Sequence, residues 1–279
     1  MHRTINYPYF TWLTPLHMKP HIFLIALLAF SCLKQPTIKE NNKFCPIESL
    51  NIDDSLTIMT VIYNDAGNPV ELSNSNTSGL NPYNFYFRYD KQNRLSDYFF
   101  TLAGGEIGAF EWDHYTYPRP GIVVDSNFEL AGTSTGPAPD TSVFREIIHT
   151  YQLDAFGRII NTYAGTGVNG QLIGSVQYDD RGDLIRPGVT YDDNINPYQT
   201  NPVWMFINQD YSLHNPSLSA FGGTEIVAAT NPQGLPTILK IPQFQSQGNS
   251  FLVLIDYNTL DIAYACDGTI PQTPANSSR

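Results

Sequence analysis

The chain has 279 residues, of which 42% are hydrophobic and 13% aromatic, enough apolar side chain to build a core and too much for a disordered polymer. Only 15% are charged, the formal net charge is −11, and Lys and Arg are nowhere clustered. That balance excludes nucleic acid as a partner and disfavours direct contact with anionic lipid, since both rely on clustered cations.

Residues 1–17 precede a better start at Met18 and read as an over-long beginning. Residues 18–31 read as a signal peptide: Met18 and Lys19 open it, Ile22 to Phe30 is an unbroken apolar run, and Ser31 is a small residue before Cys32. The run falls far short of the ~20 residues that span a bilayer as a helix. Losing residues 1–31 would remove Arg3 and Lys19 and no acid, leaving the mature chain two units more negative.

The stretch Leu28-Ala29-Phe30-Ser31-Cys32 resembles the lipobox of bacterial lipoproteins. The resemblance implies diacylglycerol on the Cys32 sulfur, cleavage before it, and acylation of the new amine. Several acyl chains at ~0.8 kcal/mol per buried methylene make a lasting anchor. An ordinary secretory peptide with a chance cysteine, or an uncleaved anchor, are the alternatives. The expected location is the envelope of a Gram-negative bacterium, lipid-anchored at the outer membrane, with the periplasmic or surface face left open.

Residues 32–44 are polar and without periodicity, a flexible tether, and 271–279 read as a frayed tail. The folded domain is expected over 45–270. With Cys32 assigned to lipid, Cys45 and Cys266 remain near its two ends, either as a disulfide or as two buried thiols.

Five stretches in this domain share one pattern: YNDAG (63–67), YDKQN (89–93), LDAFG (153–157), YDDRG (178–182) and TNPQG (230–234). Asp or Asn opens each turn and Gly or Asn closes it, the preference of a type I turn followed by a left-handed residue. Pro232 occupies the second turn position, where its fixed φ helps. The flanks alternate apolar and polar, as in Val61/Tyr63, Phe87/Tyr89 and Tyr151/Leu153, which predicts strands with one buried face. The openers Asn64, Asp90, Asp154, Asp179 and Asn231, with Asp256 as a degenerate sixth, recur at about 25 residues or its double, the length of two strands and two turns, except across the irregular gap from Asp90 to Asp154. The wider gap holds a further hairpin over 114–128 with Pro118–Gly121 as its turn, and a Gly/Pro/Ser/Thr loop over 131–142 that suits a functional rim. No stretch reads as a convincing helix; 142–153 has a helical look, but its second half fits the hairpin pattern. The expected fold is therefore all-β: an antiparallel meander of hairpins forming a curled sheet, an open barrel or a sandwich.

YDKQNRL (89–95), LDAFGRI (153–159) and, without the Arg, YDDRGDL (178–184) resemble the YD repeats of the RHS family, which build a spiralled sheet. The chain is too short for the enclosing shell of those proteins. YDDNINPYQTNPVWMFINQDYSLHNP (191–216) is similar to envelope lipoproteins of unknown function that carry YD-like hairpins. The first resemblance implies the repeat fold alone, and the second implies location and fold, with no activity.

Chemistry is sparse. His114, His149 and His214 are scattered and lack metal-ligand spacing, and no cofactor motif occurs. The pairs Asp53-Asp54, Asp179-Asp180 and Asp192-Asp193 fall short of a calcium loop and suit turns. There is no nucleophile elbow or phosphate-cradling loop, so no catalytic residue is assigned. Trp112, Tyr115 and Trp204 form a candidate aromatic platform for a glycan or an envelope protein, with core packing as the common fate of such residues. The first reading is a noncatalytic binding or scaffold protein held to the membrane through its lipid. The rival is a glycan- or peptide-active hydrolase drawing on Glu111, Asp113, Asp192 or Asp193. The hydrolase requires a concave pocket with convergent carboxylates; the first reading expects that pocket to be absent or apolar.

Overall fold

The computed structural model describes residues 45–52, 57–75, 83–102, 109–130, 143–217, 227–240 and 259–266. Cys32, Asp53-Asp54, the 131–142 loop and Asp256 lie outside them.

The hairpins assemble into one open antiparallel sheet. In chain order its first strands are β1 (Ile47–Ile52), β2 (Thr57–Tyr63), β3 (Pro69–Asn74), β4 (Tyr83–Tyr89), β5 (Leu95–Leu102), β6 (Ala109–Arg119), β7 (Ile122–Leu130), β8 (Val143–Leu153), β9 (Ile159–Ala164) and β10 (Gln171–Ser175), each beside its predecessor. After a small separate pair, β11 (Thr190–Ile195) and β12 (His214–Ser217), the chain returns as β13 (Val227–Thr230), β14 (Pro236–Lys240) and β15 (Thr259–Tyr264). These join the opposite edge, with β15 against β1, giving 13 strands that end at β10 and β13 and do not close. A disulfide between Cys45 and Cys266 joins the start of β1 to the end of β15.

All five expected reversals share one construction. The opener's Oδ1 accepts hydrogen bonds from the amides two and four residues on: Gln92 and Arg94 to Asp90, Phe156 and Arg158 to Asp154, Arg181 and Asp183 to Asp179, with Asn64 and Asn231 alike. The closing residue is left-handed in each. Gly fills that place in four turns, and Asn93, at φ 61°, in the fifth, Asn being the side-chain-bearing residue that tolerates it best. The Asp179 turn differs in its flanks: Tyr178 and Leu184 make an isolated bridge instead of a full strand pair.

Several tyrosines at strand ends have a role that local turn chemistry does not specify. Each hydroxyl donates to the carbonyl that begins the strand after a neighbouring turn: Tyr89 to Pro69 at 2.6 Å, Tyr117 to Leu95 at 2.7 Å, Tyr264 to Pro236 at 2.7 Å. Where Arg follows the turn, it pairs with the opening Asp and lies over the next tyrosine, Arg94 4.1 Å from the Tyr117 ring and Arg158 4.0 Å from Tyr178. The Asp90 and Asp154 reversals are thus each clipped to a neighbouring strand by a hydrogen bond and a cation–π contact, and the others by a hydrogen bond alone where a tyrosine is present.

One face of the sheet carries the core, including Met59, Val61, Leu72, Phe85, Phe87, Tyr98 and Val123. It is covered by a segment in which no helix was expected. A 3-10 turn, Pro197–Thr200, leads into α1 (Pro202–Ile207). Asn196 and Asn201 each cap a first turn through the side-chain oxygen, with Pro next in line. Six residues are too few for a periodic signal, and the Asn-Pro pairs that mark turns elsewhere here start helices. Trp204 is 0% exposed and meets Phe87 edge to face at 5.6 Å, while Asn201 Nδ2 donates to the Gly67 carbonyl in the first sheet turn. The cover is thereby docked on the sheet.

Candidate functional site

The core face changes character where it reaches β6. Alternation puts Glu111, Asp113 and Tyr115 of β6 on this face, and the β6–β7 register sets them opposite Glu129, Asn127 and Asp125. β8 adds Ile147 and His149 opposite Asn127 and Asp125, and β5 adds Tyr98 and Phe100 opposite Asp113 and Glu111. Ile207 and Gln209, at and just after the end of α1, close one side. The result is a pocket of about 310 Å³ with an acidic floor and a tyrosine-rich wall.

The carboxyls are held at close quarters. Asn127 Nδ2 donates to Glu111 Oε1 at 2.5 Å and to Asp113 Oδ1 at 2.6 Å. The Tyr151 hydroxyl donates to Asp125 Oδ2 at 2.8 Å and accepts from Gln209 Nε2 at 3.1 Å. Asp125 is only 4% exposed, and its second oxygen, Oδ1, has no hydrogen-bond partner among the described residues. A buried carboxyl oxygen left in that condition is costly.

Protonation answers part of the cost. Burial, then the Asp125 and Glu111 charges, push the Asp113 carboxyl well above its ordinary range against the opposing Asn127 hydrogen bond. Burial, partly offset by the Tyr151 hydrogen bond and reinforced by Glu111, pushes Asp125 up to about 7. Burial and the same acids raise Tyr98, Tyr115 and Tyr151, so their hydroxyls stay protonated as donors.

Finding this pocket corrects the expectation that it would be absent or apolar. Glu111 and Asp113 do converge, whereas Asp192 and Asp193 do not join them: Asp192 Oδ1 accepts from the amides of Asn194 and Asn215, and Asp193 is exposed and paired with Arg181. Nor does the aromatic platform assemble. Trp204 and Tyr115 are buried in the core, Tyr115 also lining the pocket. Trp112 points to the opposite face, donating from Nε1 to Asp97 and packing on Phe128. An odd step along a strand reverses the side chain, so Trp112 and Tyr115 cannot share a face.

His114 Nδ1 lies 2.8 Å from Asp97, and His214 Nδ1 lies 2.8 Å from the buried Asp183, both structural pairs. Burial alone would raise the Asp97 carboxyl, but hydrogen bonds from His114, Ser96 and Trp112 outweigh it and hold it low. Among the described residues no group of three or more His, Cys, Asp or Glu is placed to hold a metal ion.

Sequence reasoning missed Asp125, Asn127, Glu129, His149, Tyr98 and Tyr151. Alternation alone puts Asp125, Asn127 and Glu129 on one face of β7, but it does not say which β6 residues they oppose: a Pro118–Gly121 turn would set Tyr115 against Val124, and the register shift between Thr116 and Arg119 moves it to Asp125. No family model matches the chain, and no curated protein matches it.

Proposed function

We propose that this is a lipid-anchored cell-envelope protein whose folded part binds a ligand without transforming it, the acidic pocket being the ligand's seat. One observation carries the binding role: a buried carboxyl oxygen, Asp125 Oδ1, without a partner among the described residues, in a pocket built on a paired sheet. Groups held by a sheet ladder are preorganised, and an unanswered acceptor among them is a place for a ligand donor.

The convergent, proton-retaining carboxyls give the hydrolase reading its specific support. Geometry weighs against it. A glycosidase sets its two carboxyls on either side of the scissile bond. Here Glu111, Asp113, Asp125 and Glu129 all rise from one floor, and the opposing wall offers Ile207 and Gln209, neither an acid nor a base. The membrane part rests on the Leu28–Cys32 sequence and the polar tether after it.

Two measurements test the proposal. Full-length protein should incorporate labelled palmitate and fractionate with membranes, and Cys32→Ala should abolish labelling and release the chain. A Cys32→Ala protein that stays membrane-bound overturns the anchor. Envelope glycans and peptides held by the purified protein in equilibrium dialysis should come back with unchanged masses. Cleavage products that vanish in Asp113→Asn would establish the hydrolase instead.

A further inference from the structure

We infer that the pocket's ligand presents a monovalent organic cation, an alkylammonium or guanidinium group, which sits on Asp125 with its carbon chain against the tyrosine and isoleucine walls. The inference rests on the binding role proposed above and names the ligand class for that site.

The first argument is charge. Among the described residues four carboxyls line the pocket and no Lys or Arg does. Arg145, opposite Glu129 in the β7–β8 register, pairs with it at 3.7 Å and points its charge to solvent, 61% exposed. Asn127 answers Glu111 and Asp113 with a single neutral amide nitrogen. The floor therefore has more acceptor capacity than the protein supplies, and Asp125 Oδ1 has none of it met. An N–H donor bearing positive charge satisfies the oxygen and the field together.

The second argument is the wall. Tyr98, Tyr115, Tyr151 and Phe100 present aromatic rings, and Ile147 and Ile207 present aliphatic surface. Rings around carboxylates suit an organic cation, which gains from both, whereas among the described residues a divalent metal finds no group of three His, Cys, Asp or Glu placed to hold it. A pocket of about 310 Å³ admits an alkyl chain with one charged end.

The third argument is linkage. Asp125 holds a proton near neutrality, and Glu111, Asp113, Glu129, His149, Tyr98, Tyr115 and Tyr151 face it from β5 to β8, with neutral Gln209 after α1 and His114 behind β6. A cation entering displaces that proton to solvent. Affinity then climbs as pH rises through about 7, and one displaced proton makes binding about tenfold weaker at pH 6 than at pH 8.

The test is calorimetry on the full-length protein in detergent, with n-butylammonium, butylguanidinium, the capped tripeptide Ala-Arg-Ala, neutral n-butylurea and calcium as probes. The cations should bind at least about tenfold more tightly than butylurea, release a proton, and weaken at pH 6 as stated. Asp125→Asn and, separately, Glu111→Gln should weaken cation binding about tenfold or more, with far-UV circular dichroism unchanged. His149→Gln should keep the pH step. Tighter binding of the tripeptide than of butylguanidinium identifies a peptide side chain as the source, and the reverse order a free amine; either upholds the cation. Butylurea or calcium binding in place of the cations, and lost in Asp125→Asn, overturns the cation and leaves the pocket as a seat. Retained ligands that ignore Asp125→Asn and Glu111→Gln overturn the pocket as well.

Discussion

Trp204→Ala is expected to destabilise the protein by about 4 kcal/mol, measured as a lowered denaturant midpoint, since truncating a fully buried tryptophan removes its transfer energy and leaves a cavity. Trp204 is 0% exposed and its ring meets Phe87 edge to face. Its setting enlarges the consequence. A helix of six residues has no stability of its own, so α1 exists because Val203, Trp204 and Ile207 are buried against the sheet. The amides of Asn208, Gln209 and Asp210, which donate back to Trp204, Phe206 and Met205, should lose hydrogen-exchange protection first. Ile207 and Gln209 close the acidic pocket, so ligand affinity should fall with them. Trp112→Ala, on the opposite and partly solvated face, should cost less than about 2 kcal/mol. Equal losses at the two tryptophans would contradict this account of the cover.

The contrast between these two residues shows what a single sequence displays. Trp112 and Trp204 have the same chemistry, and only the register of β6 and the docking of α1 separate them. The turns were legible because their code is local: Asp90 and Asp154 close hydrogen bonds within four residues, and the left-handed position that follows admits few side chains. Alternation around them gave the strands and the one-sided core. The tyrosine clip was not legible, since the partner of Tyr117 is a carbonyl on another strand, Leu95, with no side-chain signature. The Asp179 turn obeys the same local code, yet a full hairpin does not follow, because a turn supplies a reversal and not a partner strand. The pocket falls between these cases. Alternation along β7 was readable, but the register shift beside the β6–β7 turn was not, and the burial that turns Asp125 from a surface acid into a site depends on β8 and on the cover above it.

That burial gives Asp125→Asn the other large expected effect, on stability as a function of pH. The ordinary value for this carboxyl is 3.8 and the fold pushes it up to about 7. Between those values the native state keeps a proton that the unfolded chain has released, so stability falls as pH rises. The contribution is full below the unfolded value and gone above the folded one. Three pKa units correspond to about 4 kcal/mol. Asp113, raised as well, adds a slope of the same sign, while Asp97, held low, acts only below the ordinary carboxylate range and so outside this window. The asparagine variant has no charge to bury and keeps at most the ~1–3 kcal/mol cost of an unsatisfied amide. Its stability curve should be flatter between pH 4 and pH 8, lying below the wild type at the acid end and above it at pH 8. Denaturant unfolding at several pH values decides the matter, and parallel curves would show that Asp125 is not the proton holder. A side chain whose removal strengthens the fold at neutral pH is hard to explain by packing. Its retention there makes sense if the unanswered oxygen meets a charged partner from outside the chain, which is the role the pocket's charge balance gives it.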